Sequence, residues 1–265
     1  MYMYILCYKN IKKTTRMIVN YSPNFSTPSR NINKIKYIVF HYTGMRSENK
    51  AINRLLNVKS KVSCHYFIKK NGEIINMVPD RFIAWHAGVS YWKNYKNLNN
   101  ISIGIEIQNS GHINRYEKFS IKQIKSLLFL TKTLKKKYNI KSKNFLGHSD
   151  IAPYRKKDPG EKFPWNKLYH LNLSFNPNKM KFIEVKKIRS WFKRNAIYSK
   201  KKKILIMLNI IGYDISKSID NEYYYKILIT NYRNHFFQKR YYKNSKLKLI
   251  NFIELHCCNF LLTKI

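Results

Sequence analysis

The order of apolar and polar residues between positions 36 and 78 has the short period of β-strands. The run Tyr37–Tyr42 is apolar apart from one residue, which predicts a strand buried on both faces, and Thr43-Gly44 ends it. Two further apolar stretches, 62–69 and 73–78, flank Asn71-Gly72, a pair that favours the tight turn of a β-hairpin. The pattern therefore predicts one buried strand followed by a two-stranded hairpin.

A second β pattern follows, in which four isoleucines alternate with polar or small residues between positions 101 and 108. A period of two predicts a strand with the isoleucines on one face and Glu106 on the other. We expect this strand to lie inside the sheet, where an unpaired charge is costly. We therefore expect the carboxylate of Glu106 to be either solvated or part of a chemical site.

The period then becomes helical. Ser120 and Gln123 have the spacing of a capping box, and the residues after them predict a helix over 121–138 whose apolar positions include Ile121 and Leu128.

The last part of the chain contains a short strand and then helical patterns. The strand covers 144–147, and the helices cover 204–211, 221–237 and 245–256, with Gly212 as the C-cap of the first of them. The sequence therefore predicts an α/β fold, with a mixed central sheet flanked by helices, followed by a small C-terminal three-helix bundle. The bundle carries no Cys/His cluster or paired carboxylates of the kind that chemistry needs, so we interpret it as a binding or packing module.

These patterns divide the chain into four parts. Residues 1–33 form an N-terminal lead, 34–173 the α/β domain, 174–203 a linker with a short helical piece, and 204–258 the helical domain. The lead holds a short apolar run followed by basic residues, which makes it at most a degenerate signal sequence. The longest apolar run, Ile204–Ile211, has eight residues, so the sequence predicts no transmembrane segment.

The chain is strongly basic: 52 Lys and Arg against 13 Asp and Glu give a formal charge of +39 over 265 residues. A positive surface attracts polyanions, which raises a nucleic-acid partner as one explanation. Abundant Lys, Asn, Ile and Tyr beside few Gly, Pro and Trp are also the product of an AT-rich coding sequence without selection for charge. No recognition motif for nucleic acid is present, so we predict no specific nucleic-acid partner. The charge remains either functional or a result of coding bias.

Three residues with metal-ligating side chains stand at predicted strand ends or in a loop, namely His41, His148 and Asp158. Two histidines and one carboxylate are a common ligand set of catalytic zinc, which leaves a fourth position for water. A single histidine is more often a packed or hydrogen-bonded residue, so the spacing alone is a weak signal. Glu106 strengthens it, because a base beside a metal explains a carboxylate inside the sheet.

The motifs resemble a known family, the type 2 N-acetylmuramoyl-L-alanine amidases, which are relatives of the peptidoglycan recognition proteins. The resemblance covers roughly residues 36 to 170 and follows the order of the family's motifs. The runs that carry it are Tyr37–Thr43, Val62–Tyr66, Ala84–Gly88, Ser102–Asn109, Gly147–Pro153, Arg155–Gly160 and Phe163–Trp165.

The C-terminal part resembles a second module. Leu208–Asp214 and Tyr232–Gln238 are similar to the three-helix peptidoglycan-binding domain that follows the amidase in two-domain Gram-negative lipoprotein amidases. The resemblance therefore makes 34–173 a zinc amidase domain and 204–258 a peptidoglycan-binding-like domain.

The resemblance also implies roles for individual residues. It implies one zinc ion per chain, and it places three further residues in or near the substrate cleft, where core packing is the alternative for the aromatic block around Trp92. Glu161 departs from the family, since many relatives carry Pro there. The implied zinc ligands are His41, His148 and Asp158, the catalytic residues Glu106 and Lys156, and the substrate-binding residues His65, His86 and Trp92.

The implied activity is zinc-dependent hydrolysis of the amide between N-acetylmuramic acid and L-alanine in peptidoglycan or muropeptides. The alternative is a peptidoglycan-recognition protein that binds without cutting. We expect a monomer that acts in the cell envelope, periplasmic or associated with the outer membrane, while a cytoplasmic location stays open. The sequence does not distinguish intact wall from anhydro-muropeptides as substrate.

Overall fold

The structure is a computed structural model that describes residues 17–175, 185–238 and 248–262. Contacts divide the chain into two compact units. Among the described residues, the first unit holds 17–86 and 99–140, and the second holds 87–98 and 141–262. The predicted boundaries at 33, 173 and 203 remain predictions, and the N-terminal lead before residue 17 lies outside the described residues.

The described residues contain ten strands and eight α-helices. The strands are β1 (Met17–Val19), β2 (Phe25–Ser26), β3 (Tyr37–Tyr42), β4 (Tyr66–Ile68), β5 (Ile74–Asn76), β6 (Ile83–Ala84), β7 (Tyr91–Trp92), β8 (Tyr95–Lys96), β9 (Ser102–Ile107) and β10 (Phe145–Gly147). The helices are α1 (Glu48–Leu56), α2 (Ile121–Tyr138), α3 (His148–Ile151), α4 (Trp165–His170), α5 (Val185–Arg194), α6 (Lys200–Ile211), α7 (Glu222–Phe236) and α8 (Leu249–Leu262).

The first unit contains five strands of the central sheet in the order β1–β5–β4–β9–β3. All neighbouring pairs are parallel except β4 with β5, which form the predicted hairpin. Gly72 in that turn has φ +88°, a conformation that favours glycine. The mixed sheet and the position of β9 between two strands confirm the predictions.

Strand periodicity places the chemistry on one face of this sheet. His41 pairs in register with Glu106 across β3 and β9, so both side chains leave the same face. Ser102 and Gly104 precede Glu106 at intervals of two and share that face, while the isoleucines of β9 fill the opposite one.

Helix α2 begins at the predicted residue and has the predicted capping box between Ser120 and Gln123. Its buried face combines Leu127, Leu130 and Leu134 with Gln123 and Ser126, and Ile121 at its start is 73% exposed. The polar side chains are tolerated because they donate to buried carbonyl groups, Gln123 to Gln108 and Ser126 to Gly72. The apolar spacing predicted the helix, and its buried face includes polar residues as well.

The second unit contains β7, β8 and β10 and the helices from α3 onward. Helix α6 begins at Lys200 with Ser199 as its N-cap, so the basic residues 200–203, assigned to the linker, form its first turn. The predicted helix over 221–237 matches α7, and the one over 245–256 is described from residue 249 and ends at Leu262. No helix within the described residues is long and apolar enough to cross a membrane.

Candidate metal centre and active site

His41 lies near the end of β3 and is held from behind by a second histidine. Its Nε2 atom is 3.0 Å from Nδ1 of His86, and Nε2 of His86 is 3.1 Å from Oγ of Ser102. If Nε2–H of His41 donates to His86 and Nε2–H of His86 donates to Ser102, both rings are neutral and Nδ1 of His41 keeps a lone pair. Such an arrangement fixes the tautomer that a metal ligand requires.

His86 lies flat against the sheet because β9 has a glycine beneath it. A Cβ atom on Gly104 would come within 2.3 Å of Cγ of His86, closer than any real contact. His86 was expected in the substrate cleft, and its side chain here is 8% exposed and bonded to His41 and Ser102. Its observed contacts support a role behind His41.

His148 begins α3, directly after β10, and its hydrogen bonds determine its tautomer. Nε2 lies 3.0 Å from the carbonyl oxygen of Ala87, which can only accept, so Nε2 carries the proton. In the neutral ring, Nδ1 is then a lone pair, and it faces Oδ2 of Asp158 at 3.1 Å. Two acceptors at this distance repel each other unless a proton or a cation compensates, which is how a ligand pair for a cation is arranged.

The structure brings together the three predicted ligands. One ligand atom from each of His41, His148 and Asp158 lies within 4.8 Å of the others, and all three residues are buried. This is the one group of three or more His, Cys, Asp or Glu residues with such spacing within 17–175, 185–238 and 248–262. Two imidazoles and a carboxylate are a ligand set that suits zinc. The two buried acceptor atoms that face each other, Nδ1 of His148 and Oδ2 of Asp158, also favour a bound cation.

The predicted catalytic residues lie in different settings. Glu106 is half-buried beside His41, on the strand next to it. Lys156 is half-buried in the loop that contains Asp158, two residues before that ligand. Glu161, the departure from the family, is exposed, so solvent screens its charge.

His65, a predicted substrate contact, is fully buried in a polar network. The backbone N–H of Gly104 donates to its Nδ1 at 3.0 Å, so Nε2 carries the proton and donates to the carbonyl of Phe82 at 3.2 Å, with Nη2 of Arg30 2.8 Å away. Burial, together with the nearby charge of Arg30, lowers the pKa of His65 to about 3, so the ring is neutral at pH 7. These contacts support a role in holding β9, and they leave the ring no route to a substrate in this conformation.

Trp92 is 1% exposed, and its ring packs edge-on against Tyr213 at a centroid distance of 4.9 Å. This position fits the alternative of core packing and not the expected contact with substrate. The distant partners could not be inferred from the local motif, since Tyr213 follows 121 residues later.

Arg155 is a site residue that the motif analysis did not single out. Its Nη2 donates to the carbonyls of Ala87 at 2.8 Å and Val89 at 2.9 Å, and it lies 3.4 Å from Nε2 of His148. It therefore fixes the carbonyl to which His148 donates. The signal available was its place at the start of the run Arg155–Gly160, and in a chain with 52 basic residues one more arginine does not stand out.

Residues 31–161 match the model of the N-acetylmuramoyl-L-alanine amidase family. This stretch of the chain belongs to that family, and the resemblance drawn from the motifs is confirmed over it.

Two curated relatives show how far the similarity extends. The N-acetylmuramoyl-L-alanine amidase AmiD of Escherichia coli K12 is 37% identical over 147 residues, which cover 51% of this chain and 52% of AmiD. The 1,6-anhydro-N-acetylmuramyl-L-alanine amidase AmpD of the same organism is 40% identical over 105 residues, which cover 40% of this chain and 55% of AmpD. The chain thus spans about half the length of these relatives.

Two solved structures are similar over nearly the whole chain. AmpDh3 from Pseudomonas aeruginosa, in complex with an anhydromuramic pentapeptide, has a TM-score of 0.70 and 28% identity, covering 89% of this chain and 95% of that one. AmiD from E. coli, with the substrate anhydro-N-acetylmuramic acid-L-Ala-D-γ-Glu-L-Lys, has a TM-score of 0.69 and 26% identity, covering 89% and 92%. The likeness therefore extends beyond the segment that defines the family.

Proposed function

We propose that the protein is a zinc-dependent amidase that hydrolyses the amide between the lactyl group of N-acetylmuramic acid and the L-alanine of the stem peptide. The observation that carries this proposal is the buried group His41, His148 and Asp158 beside Glu106, in a chain with a domain of the amidase family.

His41, His148 and Asp158 would hold one zinc ion, with their lone pairs oriented by His86 and by the carbonyl of Ala87. Zinc bound there supplies Lewis-acid chemistry, which polarises a carbonyl group and lowers the pKa of water.

Glu106 is the proton carrier in this proposal. Its carboxylate leaves the sheet on the same face as His41, where it can take a proton from the attacking water. The oxygen of that water forms the new bond to the carbonyl carbon, the C–N bond breaks, and Glu106 returns the proton to the leaving amine. The products are the lactyl carboxylate and a free L-alanine amino group.

Lys156 would stabilise the negative charge on the carbonyl oxygen during the attack. A fixed cation at the oxyanion contributes most where water is excluded, and the half-buried position of Lys156 next to the buried Asp158 suits this role.

We further propose anhydro-muropeptides as a substrate class, because both solved structures described above are complexes with ligands of that chemistry. We propose that the protein acts as a monomer at the cell envelope, which light scattering and cell fractionation would test.

The test is incubation of the purified protein with an anhydro-muropeptide, with and without a chelator, and identification of the products by mass. We expect a free peptide and a free anhydro-sugar acid, both absent with chelator and restored by Zn²⁺. A protein that binds the muropeptide and zinc but releases no product would instead be the silent recognition protein, and the proposal would be wrong.

A further inference from the structure

Helix α7 carries a buried polar stripe that the proposed mechanism does not use. Asn231, His235 and Gln238 are spaced four and three residues apart, so they lie on one face of the helix and its extension. Their exposed fractions are 2%, 5% and 5%. Burying an amide or an imidazole is costly unless it is hydrogen-bonded, so this face must have specific partners.

Those partners lie in the metal loop, defined here as residues 148–163, which begins with His148 and contains Asp158. Nδ2 of Asn231 donates to the carbonyls of Pro153 at 2.7 Å and Lys156 at 3.2 Å. Nε2 of Gln238 donates to the carbonyls of Glu161 at 2.9 Å and Phe163 at 3.3 Å. The two amides therefore hold the backbone on both sides of Asp158.

His235, the third residue of the stripe, binds close to His148 along the chain. Nδ1 of His235 donates to Oδ2 of Asp150 at 2.7 Å, and its ring stacks on Trp165 at 3.5 Å. Asp150 is fully buried on α3, two residues after His148. Oδ2 of Asp150 also accepts from the N–H of Gly147 at 2.6 Å, so the same carboxylate fixes the backbone at the start of α3.

The metal loop also contacts itself where the ligands stand. The N–H of Ser149 donates to the carbonyl of Asp158 at 2.8 Å, so the backbones at the two ligands are joined directly. A shift at Asp150 or at Lys156 is therefore passed to both ligands.

We propose that Asn231, His235 and Gln238 are positioning residues for the metal centre, which place His148 and Asp158 through the metal loop. This inference rests on the proposed function, because it takes those two residues as zinc ligands. It gives α7 a task in assembling the catalytic centre, beyond any attachment to the cell wall. A polar contact that orients a ligand is worth about ten- to a hundredfold in metal affinity.

The experiment measures Zn²⁺ affinity of the full chain by competition with a chromophoric chelator, and ligand geometry by the visible absorption of the Co²⁺-substituted protein. The variants are Asn231→Ala, His235→Ala and His235→Asn. The control is Tyr232→Phe, which removes a buried hydrogen bond of the same helix to His256 and leaves the metal loop untouched. Circular dichroism confirms that each variant is folded.

We expect Asn231→Ala and His235→Ala to weaken Zn²⁺ binding at least about tenfold and to change the Co²⁺ spectrum. His235→Asn should recover most of the affinity, because its Nδ2 can replace Nδ1 as the donor to Asp150. Tyr232→Phe should stay within about twofold of the wild type. Asn231→Ala, the milder change, keeps the test decisive if His235→Ala fails to fold.

Two results would overturn the inference. Wild-type Zn²⁺ affinity in Asn231→Ala would show that the stripe does not position the metal ligands. Equal weakening of Zn²⁺ binding in Tyr232→Phe would show that the variants act only through the general stability of the protein. A wild-type protein that binds no Zn²⁺ would overturn the proposed function first and this inference with it, so the two failures are distinguishable.

Discussion

Gly104→Ala offers the sharpest test of the contacts behind His41, because it adds one carbon atom and keeps every backbone hydrogen bond of β9. The added Cβ would lie 2.3 Å from Cγ and 2.6 Å from Nδ1 of His86, so the ring must leave its place. Cγ is the first atom of the ring, and rotation of a flexible chain end cannot relieve the contact.

The expected size follows from what the ring loses. His86 gives up its bonds to His41 and Ser102, each worth about 1 kcal/mol, and overpacking costs about 1–3 kcal/mol more. The free energy of unfolding should therefore fall by about 3–5 kcal/mol. Zn²⁺ affinity should fall about ten- to a hundredfold, because His41 loses the partner that fixes its tautomer.

The assay is chelator competition for Zn²⁺, with urea denaturation of the metal-free protein alongside it. Ser102→Ala is the graded control, since it removes the far hydrogen bond of His86 and leaves space for the ring. It should weaken Zn²⁺ binding by less than the glycine variant does. A folded Gly104→Ala protein with wild-type Zn²⁺ affinity would refute the reasoning, because His86 would then have no part in orienting His41.

Four further predictions follow from the site and the charge. His148→Ala should lose stoichiometric zinc by metal analysis, and retention of one zinc per chain would contradict its assignment as a ligand. Glu106→Gln should keep zinc and bind muropeptide but turn over about a hundredfold more slowly; near wild-type turnover would exclude Glu106 as the proton carrier. Burial lowers the pKa of His256 to about 3 from its usual 6.5, so the unfolded chain binds the extra proton, and stability present above pH 6.5 is lost as the pH falls toward 3. In metal-free protein, His256→Gln should remove roughly 2 to 3 kcal/mol of the stability difference between pH 7 and pH 4.5, and an unchanged difference would contradict the lowered pKa. Wall binding should weaken moderately between about 50 and 300 mM salt, whereas a flat curve would leave coding bias as the explanation of the +39 charge.

The sequence predicted correctly the strands whose apolar residues are buried in the sheet. Tyr37–Tyr42 and the alternating isoleucines of β9 are buried as expected, and the parallel register of these two strands brings His41 beside Glu106. The sequence did not predict that the buried face of α2 contains Gln123 and Ser126, whose partners are distant backbone carbonyls. Apolar spacing cannot detect a polar residue that is buried because it is hydrogen-bonded.

Distant partners also explain why the sequence identified some site residues correctly and gave others the wrong surroundings. The candidate ligands His41, His148 and Asp158 could be placed together because each stands in a motif that resembles the family. His65 and Trp92 also stand in such motifs, yet their settings depend on Arg30 and Tyr213, which are far away along the chain. A motif identifies the residue, whereas its exposure depends on partners outside the motif.

The contacts of the metal loop also bear on where the proposed amidase domain ends. The family match ends at residue 161, yet the side chains that hold the loop come from α7 and its extension, at 231, 235 and 238. In a chain cut before α7, water would replace the lost donors and satisfy the carbonyls without fixing their positions. The count of hydrogen bonds would then change little, while the order of the loop would be lost. Such a fragment should therefore lose metal affinity, because a metal centre depends on ligand positions to within fractions of an ångström.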